Sequence, residues 1–224
     1  MEITTEDFSD HRIYGSMLPI DNDIFMTKLK ELYEQLKKFH IANGKYKPKD
    51  INDNNIYGPG DFVYDPSHYL DDHNIFISPI SELHFLLSNI KKLLVVACEE
   101  NNIDLEKEKY YIHGWINYSP GKLHQEREYE ELFWHDHGQK PNEFHGYYVV
   151  NAEPSVTHYR ANGEKLDREN NNGKLILAKT GLEHAVGRWN FDIPRITIAY
   201  NLMPLKHVIY AKETGDVIPF VPIV

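Results

Sequence analysis

The stretch Pro194-Arg195-Ile196-Thr197-Ile198-Ala199-Tyr200-Asn201-Leu202 decides how the second half of this chain is read. It is rich in β-branched and aromatic residues, the composition of a strand. Successive side chains of a strand point to opposite faces. Arg195 and Thr197 therefore share one face, while Ile196 and Ile198 take the other and are expected to fill the space between sheets. Working back from this stretch, strand-like runs occur at 110–118, 133–137, 144–150, 155–159, 174–178 and 185–189. Turn residues separate them, among them Ser119-Pro120-Gly121, the stretches 138–142 and 151–154, and Asn170-Asn171-Asn172-Gly173. Many short strands at this spacing, with no internal repeat, predict a β-sandwich or barrel.

Before about residue 105 the period is helical. Asp21-Asn22-Asp23 can cap a helix that runs to about His40, with Phe25, Leu29, Leu32, Tyr33 and Leu36 at three- and four-residue steps. Residues 44–77 are rich in Asn, Asp, Gly, Pro and Tyr and read as long loops, with a short strand at Ile75-Phe76-Ile77. Ser78-Pro79 offers an N-cap and a first-turn proline. The helix that follows is expected to reach about Glu100, with Leu83, Leu86, Leu87, Ile90, Leu93 and Leu94 near one face. Both helices are expected to pack as scaffold against a sheet. The expectation is a single domain over 1–224, in which a helical and loop part, 1–104, packs on a β core, 105–224.

Composition narrows the function classes. A chain of 224 residues with 41% hydrophobic and 12% aromatic residues folds around a core rather than staying disordered. A net charge of −10 excludes general nucleic-acid binding, which needs clustered Lys and Arg on phosphates; a local basic groove stays open. The single cysteine, Cys98, cannot form an internal disulfide and sits in an apolar run. It reads as a buried, inert thiol in a reducing compartment. The opening Met1-Glu2-Ile3-Thr4-Thr5-Glu6-Asp7 has neither a basic region nor an apolar stretch, and no run approaches the ~20 apolar residues of a span. No signal peptide and no membrane span are expected, which places the protein in the cytoplasm of the cell or of an infected host. Oligomeric state is not encoded.

Trp134-His135-Asp136-His137 puts two histidines on one strand face. Gly181-Leu182-Glu183-His184 offers a third from a later strand, and Arg195 follows it. Each feature has an ordinary reading. In a chain with thirteen histidines a His-x-His pair arises by chance on a surface, and a lone arginine more often makes a surface ion pair. Their order and spacing are what point to chemistry.

In that order, residues from about 110 to 204 resemble the double-stranded β-helix (jelly-roll, cupin-like) core of iron(II)/2-oxoglutarate-dependent oxygenases. The resemblance is closest to a phage and bacterial group with a short His-x-His or His-x-Asp signature. Trp115-Ile116-Asn117 looks like the family's leading strand and His135-Asp136-His137 like its first metal motif. His145-Gly146-Tyr147-Tyr148-Val149-Val150 looks like the strand that follows, and the stretch from Gly181 to Val186 like the segment with the distal histidine. The stretch from Arg195 to Asn201 looks like the strand carrying an Arg-x-Ser or Arg-x-Thr motif. The resemblance covers less than half of the chain. It implies a mostly β fold with N-terminal helices (α+β). It further implies Fe(II) held by His135, His137 and His184, and 2-oxoglutarate and dioxygen as co-substrates. The implied reaction hydroxylates a C–H bond and decarboxylates 2-oxoglutarate to succinate.

The residues suit those roles. Ferrous iron takes a facial set of three protein ligands and leaves the opposite face open. The far carboxylate of 2-oxoglutarate would be costly to bury unpaired, and the planar guanidinium of Arg195 can pair with it, helped by the Thr197 hydroxyl. Asn117, Tyr147 and Tyr148 are candidates to contact 2-oxoglutarate or substrate, or are ordinary strand packing. The substrate, a small molecule or a peptide side chain, is not legible. Its rim could be formed by the loops between 44 and 77 and by the acidic stretch 126–131.

One departure matters. The commonest triad has a carboxylate where this chain has His137. Strand alternation favours His137 over Asp136 as the ligand, and Asp136 could instead orient a ligand imidazole. His124-Gln125-Glu126 is a weaker His-x-acid pair, and His145 and His158 read as peripheral, with His145 near the pocket. Three rivals stay open. A cupin-type metalloprotein would be a 2-oxoglutarate-independent dioxygenase, an isomerase or a small-molecule binder, with Glu143 as an extra ligand. A tri-histidine zinc hydrolase would leave Arg195 and Thr197 without a role. A non-enzymatic β-sandwich would carry its histidines incidentally.

Overall fold

Alternation along the strands builds a sheet that is covered on both faces, and the computed structural model shows what covers each. It describes residues 1–42, 73–119, 132, 134–138, 140–187, 189, 191–215 and 219–224. The expectations placed on 44–72, on His124-Gln125-Glu126, on 126–131 and on Phe133 lie outside the described residues. The elements run β1 (Thr4–Phe8), β2 (His11–Met17), α1 (Asn22–Ala42), α2 (Ser81–Glu100), β3 (Tyr110–Ser119), β4 (Phe144–Asn151) and β5 (Val156–Ala161). They continue β6 (Glu164–Glu169), β7 (Lys174–Lys179), β8 (Glu183–Val186), β9 (Arg195–Pro204), α3 (Leu205–Glu213) and β10 (Val221–Pro222). One sheet has seven strands in the order β1-β2-β7-β4-β9-β3-β10, and a second has three in the order β6-β5-β8. Neighbouring strands are antiparallel throughout.

Register assigns the faces. Ile112, Ile116, Tyr148, Leu175, Leu177, Ile196, Ile198 and Leu202 join Phe25, Leu29 and Tyr33 of α1 and the apolar stripe of α2 in one large core. Ile196 and Ile198 thus face the helices, not the space between the sheets. The reason is that the large sheet has a second cover: its strands alternate between a helix-facing side and a side that meets the small sheet. On that inner side Ile13, Ile176 and Ala178 pack with Tyr159 and Leu182. Cys98 is buried in the helix-side core, and burial pushes its thiol up to about 11, which keeps it unreactive.

Several local expectations are modified. α1 starts as expected: Asp21 accepts the amide of Ile24 through its side chain, at 3.2 Å. For α2 the N-cap is Ile80 and makes no side-chain bond, so the pair Ser78-Pro79 precedes the helix rather than capping it. Ile75–Ile77 is a turn of 3-10 helix, not a strand. Asn74 is the cause. Its fully buried side chain accepts from the amides of Phe76 (3.2 Å) and Gly114 (3.2 Å). It also donates to the carbonyls of Ile112 (2.8 Å) and Pro219 (3.1 Å). An asparagine that captures main-chain groups in this way competes with ladder pairing.

The strands β1, β2, β6 and β10 and the helix α3 carry no strong period and were not anticipated. β6, with its Glu-Lys-Leu-Asp-Arg-Glu sequence, is mostly exposed and is held by register to β5. The Asn170-Asn171-Asn172-Gly173 turn is tight and well bonded. The Asn170 side chain engages Thr157 and Ser155, Asn172 accepts from Ala152, and Gly173 takes φ +92. No described helix is long and apolar enough to cross a membrane.

Replacing Asn74 by alanine strands buried groups on three segments at once. The Asn74→Ala protein should lose about 3 kcal/mol of stability in urea unfolding, whereas the exposed Thr27→Ala in α1 should stay within about 0.5 kcal/mol of the parent. Equal midpoints for the two variants would contradict this role for Asn74.

Candidate metal centre

The site begins with a main-chain contact. The amide of His135 donates to the carbonyl of His184 (3.1 Å), and the amide of His184 donates back to that of His135 (2.9 Å). This antiparallel bridge is all that forms of the expected strand at 133–137 among its described residues. It lays the His-x-His segment beside β8, whose other edge pairs with β5 through Tyr159 and His184. Residues directly opposed across a ladder point the same way, and His137 follows two residues on. One nitrogen from each of His135, His137 and His184 then lies within 4.8 Å of the others. Ring centres are 4.3 Å apart for His135 and His184, 5.3 Å for His137 and His184, and 5.6 Å for His135 and His137.

The environment keeps the His137 and His184 rings neutral. Burial lowers His137 to about 4, with His135 adding to the effect and Asp136 and the nearby Asn201 side chain opposing it. Burial also lowers His184 to about 3, reinforced by His135 and His137 and opposed by the Leu182 carbonyl. That carbonyl lies 3.2 Å from His184 Nδ1. A carbonyl only accepts, so Nδ1 carries the proton and Nε2 keeps its lone pair for a cation. Neutral imidazoles with free lone pairs are the form a divalent transition metal binds.

The large sheet supplies the facing wall. One register row runs His113 on β3, Asn201 on β9, His145 on β4, Ala178 on β7 and Ile13 on β2. The Trp115 ring stacks on His113 (5.4 Å), lies 6.1 Å from His137, and donates through Nε1 to Asn117 Oδ1 (3.0 Å). The Tyr159 ring lies 6.1 Å from His184, and its hydroxyl donates to that of Tyr147 (3.3 Å). Further along the same face of β9 come Ala199, Thr197 and Arg195. Thr197 is flanked by Asn117 and Val149, and Arg195 is opposite Ser119. Arg195 and Thr197 are buried, at 6% and 3% exposure, so Arg195 is not a surface ion pair.

The other candidates fall elsewhere. The Asp136 carboxylate accepts the amide of Gly138 (3.0 Å) in a local turn. It lines a separate groove of about 630 Å³, together with Glu143, Arg160 and Glu183. Glu143, the extra ligand of the cupin alternative, lies outside the histidine cluster and bonds His207 Nδ1 on α3 at 2.8 Å. Burial raises its carboxyl, and Lys140 and His207 pull it back. His158 is peripheral, pairing with Asp167 across β5 and β6 at 2.7 Å. His145 is not peripheral: its ring centre is 4.5 Å from that of His137 and 4.8 Å from that of His184. Its inward register two residues before Tyr147 was the available signal. Asn201 and Tyr159 could have been found the same way.

No family model and no curated protein matches this chain. Solved structures do, at low identity. One is a non-heme monooxygenase, ThoJ, in its nickel complex, at 12% identity over 43% of this chain and 45% of that one, TM-score 0.33. Another is SnoK, a non-heme alpha-ketoglutarate-dependent carbocyclase from nogalamycin biosynthesis, at 11% identity over 55% and 58%, TM-score 0.41. A third is SnoN, a non-heme alpha-ketoglutarate-dependent epimerase of the same biosynthesis, at 10% identity over 55% and 56%, TM-score 0.37. The chain spans about half the length of these structures.

A pH dependence follows from the lowered histidines. The unfolded chain takes up their protons below the ordinary value of 6.5, whereas the folded chain resists until about 4 for His137 and about 3 for His184. Folded stability is therefore full above 6.5 and falls as pH drops towards those values. Urea midpoints of metal-free protein should decline between about pH 6.5 and pH 5, above the range where most carboxylates titrate. The decline should be shallower in His137→Phe. A flat profile in the parent protein over that window would contradict the assignment.

Proposed function

We propose that this chain is an Fe(II)- and 2-oxoglutarate-dependent oxygenase built on a double-stranded β-helix core, a single domain with the N-terminal helices packed on its large sheet. It would use dioxygen to hydroxylate a C–H bond of a small molecule or a peptide side chain. The observation that carries this reading is the half-buried cluster of His135, His137 and His184, with a nitrogen of each within 4.8 Å of the others. Arg195 and Thr197 issue from the sheet face opposite that cluster. A tri-histidine site alone would suit a zinc hydrolase equally well. The buried guanidinium on the same face favours a site for a carboxylate ligand. Glu143 bonded to His207 removes the main support for the cupin alternative.

The donor set fits iron(II): all-imidazole and half-buried, with His137 and His184 held neutral. Bound Fe(II) would supply the redox chemistry that couples decarboxylation of 2-oxoglutarate to succinate and CO2 with transfer of one oxygen atom from dioxygen to the substrate carbon. The chain's own residues would do the positioning. His135, His137 and His184 would hold the ion on one side. From Asn201 to Thr197 is four residues, about 13 Å along a strand, and the inner face between them carries only Ala199. That small side chain leaves a strip on which an extended five-carbon dicarboxylate can lie. Arg195 would pair with its far carboxylate and Thr197 would donate a hydroxyl, so the charge is not buried alone. Trp115, fixed by its bond to Asn117, would wall the strip on the β3 side and exclude water. Tyr147 would wall it on the β4 side, its hydroxyl tied to Tyr159.

Anaerobic titration of metal-free protein with Fe(II) and then 2-oxoglutarate should produce a weak visible charge-transfer band. In Arg195→Ala, binding of 2-oxoglutarate should weaken about 100-fold, roughly 2.8 kcal/mol, while Fe(II) affinity changes only a few-fold. Bound iron with no response to 2-oxoglutarate in the parent protein would refute the proposal.

A further inference from the structure

The groove lined by Asp136, Glu143, Arg160 and Glu183 has no task in that scheme. It continues the inner wall at the end away from Arg195. His145, Ala178 and Ile13 stand in one register row. Glu143, Thr180 and His11 lie two residues further along the same three stretches of chain, so they share that face. The Thr180 amide donates to the Glu143 carbonyl (3.1 Å) and carries the ladder outward. All three residues line the groove, as do Asp136 and Glu183, chain neighbours of the metal-site histidines. Its volume of about 630 Å³ is that of a small-molecule site.

Glu143 is the unusual lining group, because it is an acid only 4% exposed. Its Oε1 takes the His207 Nδ1 bond at 2.8 Å. Its Oε2 has no hydrogen-bond partner among the described residues, yet it is not sealed from solvent, so it opens into the groove. A carboxylate oxygen left bare in such a place is costly and calls for a donor. The other acids of the lining are already answered. Glu183 makes two bonds to Arg160 (2.8 and 2.9 Å), Asp10 accepts from the Asn162 side chain (3.1 Å), and Asp136 accepts the amide of Gly138. Lys140 shows what the open place accepts. Its Nζ is 3.9 Å from Glu143 Oε1, beyond hydrogen-bond reach, and its side chain is 47% exposed. An ammonium held so loosely can swing into water and give up its place. We propose that this groove binds a ligand through a primary ammonium or guanidinium group seated on the free oxygen of Glu143. That the ligand is the substrate rests on the oxygenase reading; the binding itself does not. On that reading the substrate is an amine, a guanidine, or a lysine or arginine side chain. Held at Glu143, its chain would point along the wall towards the row of His145, about 7 Å away for two residues of strand. Arg195 and its carboxylate partner would lie at the opposite end.

The test is an NMR titration of isotope-labelled, metal-free protein with two cations, n-butylammonium and the blocked tripeptide acetyl-Gly-Lys-Gly-amide. Their neutral counterparts, N-butylacetamide and the tripeptide acetylated on its lysine, are run beside them. The expected result is a saturable shift of the Thr180 amide and the His207 ring with the cations, and about 10-fold weaker binding of the neutral forms. Glu143→Gln keeps an oxygen for His207 Nδ1 and should weaken cation binding about 10-fold, whereas Lys140→Met should tighten it a few-fold. The tighter of the two cations tells a free amine from a peptide side chain. No saturable shift with either cation, equal binding of the neutral forms, or unchanged binding in Glu143→Gln would overturn the proposal. Should Glu143→Gln fail to fold, Lys140→Met decides: tighter cation binding upholds the proposal, and unchanged or weaker binding overturns it. The two readings fail separately. Wild-type protein that responds to Fe(II) and 2-oxoglutarate but binds neither cation loses the cation site alone. Protein that binds the cations but, with iron bound, ignores 2-oxoglutarate loses the oxygenase reading alone.

Discussion

Three imidazoles share one small, half-buried volume, and two of them, His137 and His184, resist taking up a charge. That constraint organises the rest of the molecule. Neutral imidazoles do not attract one another as an ion pair does, so side-chain forces cannot assemble the cluster. The backbone does it instead, through the reciprocal bonds of His135 and His184 and the pairing of His184 with Tyr159. Burial then depresses the affinity of the His137 and His184 rings for protons and leaves their lone pairs available to a softer acid than H⁺.

A site of this kind needs one sheet face that is free of the ordinary work of stability. The large sheet provides it by placing that work on its other face. Tyr148, Ile196, Ile198 and Leu202 lock into α1 and α2, while their strand neighbours His145, Tyr147, Arg195, Thr197 and Asn201 are turned inward. The two faces alternate residue by residue, so a one-residue slip of β9 would exchange them completely. The ten-residue pairing of β9 with β3, from Tyr110 opposite Pro204 to Ser119 opposite Arg195, guards against that slip.

How much of this was legible in the sequence depends on how strongly each segment repeats. Strands β3, β4, β7 and β9 are long and apolar on the helix-facing side, and their pattern exposes them within a residue or two. β1, β2 and β6 are not visible in the pattern. β1 and β6 are short and polar edge strands, defined by their partners rather than by their own side chains. Ile75–Ile77 has strand composition but meets Asn74, whose side chain takes the backbone bonds that a ladder would need. That His135 and His137 face together was readable from spacing, because i and i+2 on a strand share a face, whereas His184 was reached only through the order of the motifs. His145 was readable only in part. Its inward direction follows from the strand, but its distance from His137 is set by how two sheets approach each other, and no local pattern reports that.

The bridge between His135 and His184 has a consequence for how such a centre can change. Its bonds belong to the main chain, so they persist whatever side chain stands at either position, proline excepted. The frame is indifferent to the identity of the donors it presents. A carboxylate, an amide or a thiol could replace one imidazole and inherit its place without renegotiating the fold. Donor chemistry and architecture are thereby separable traits, and a lineage can exchange the first while conserving the second.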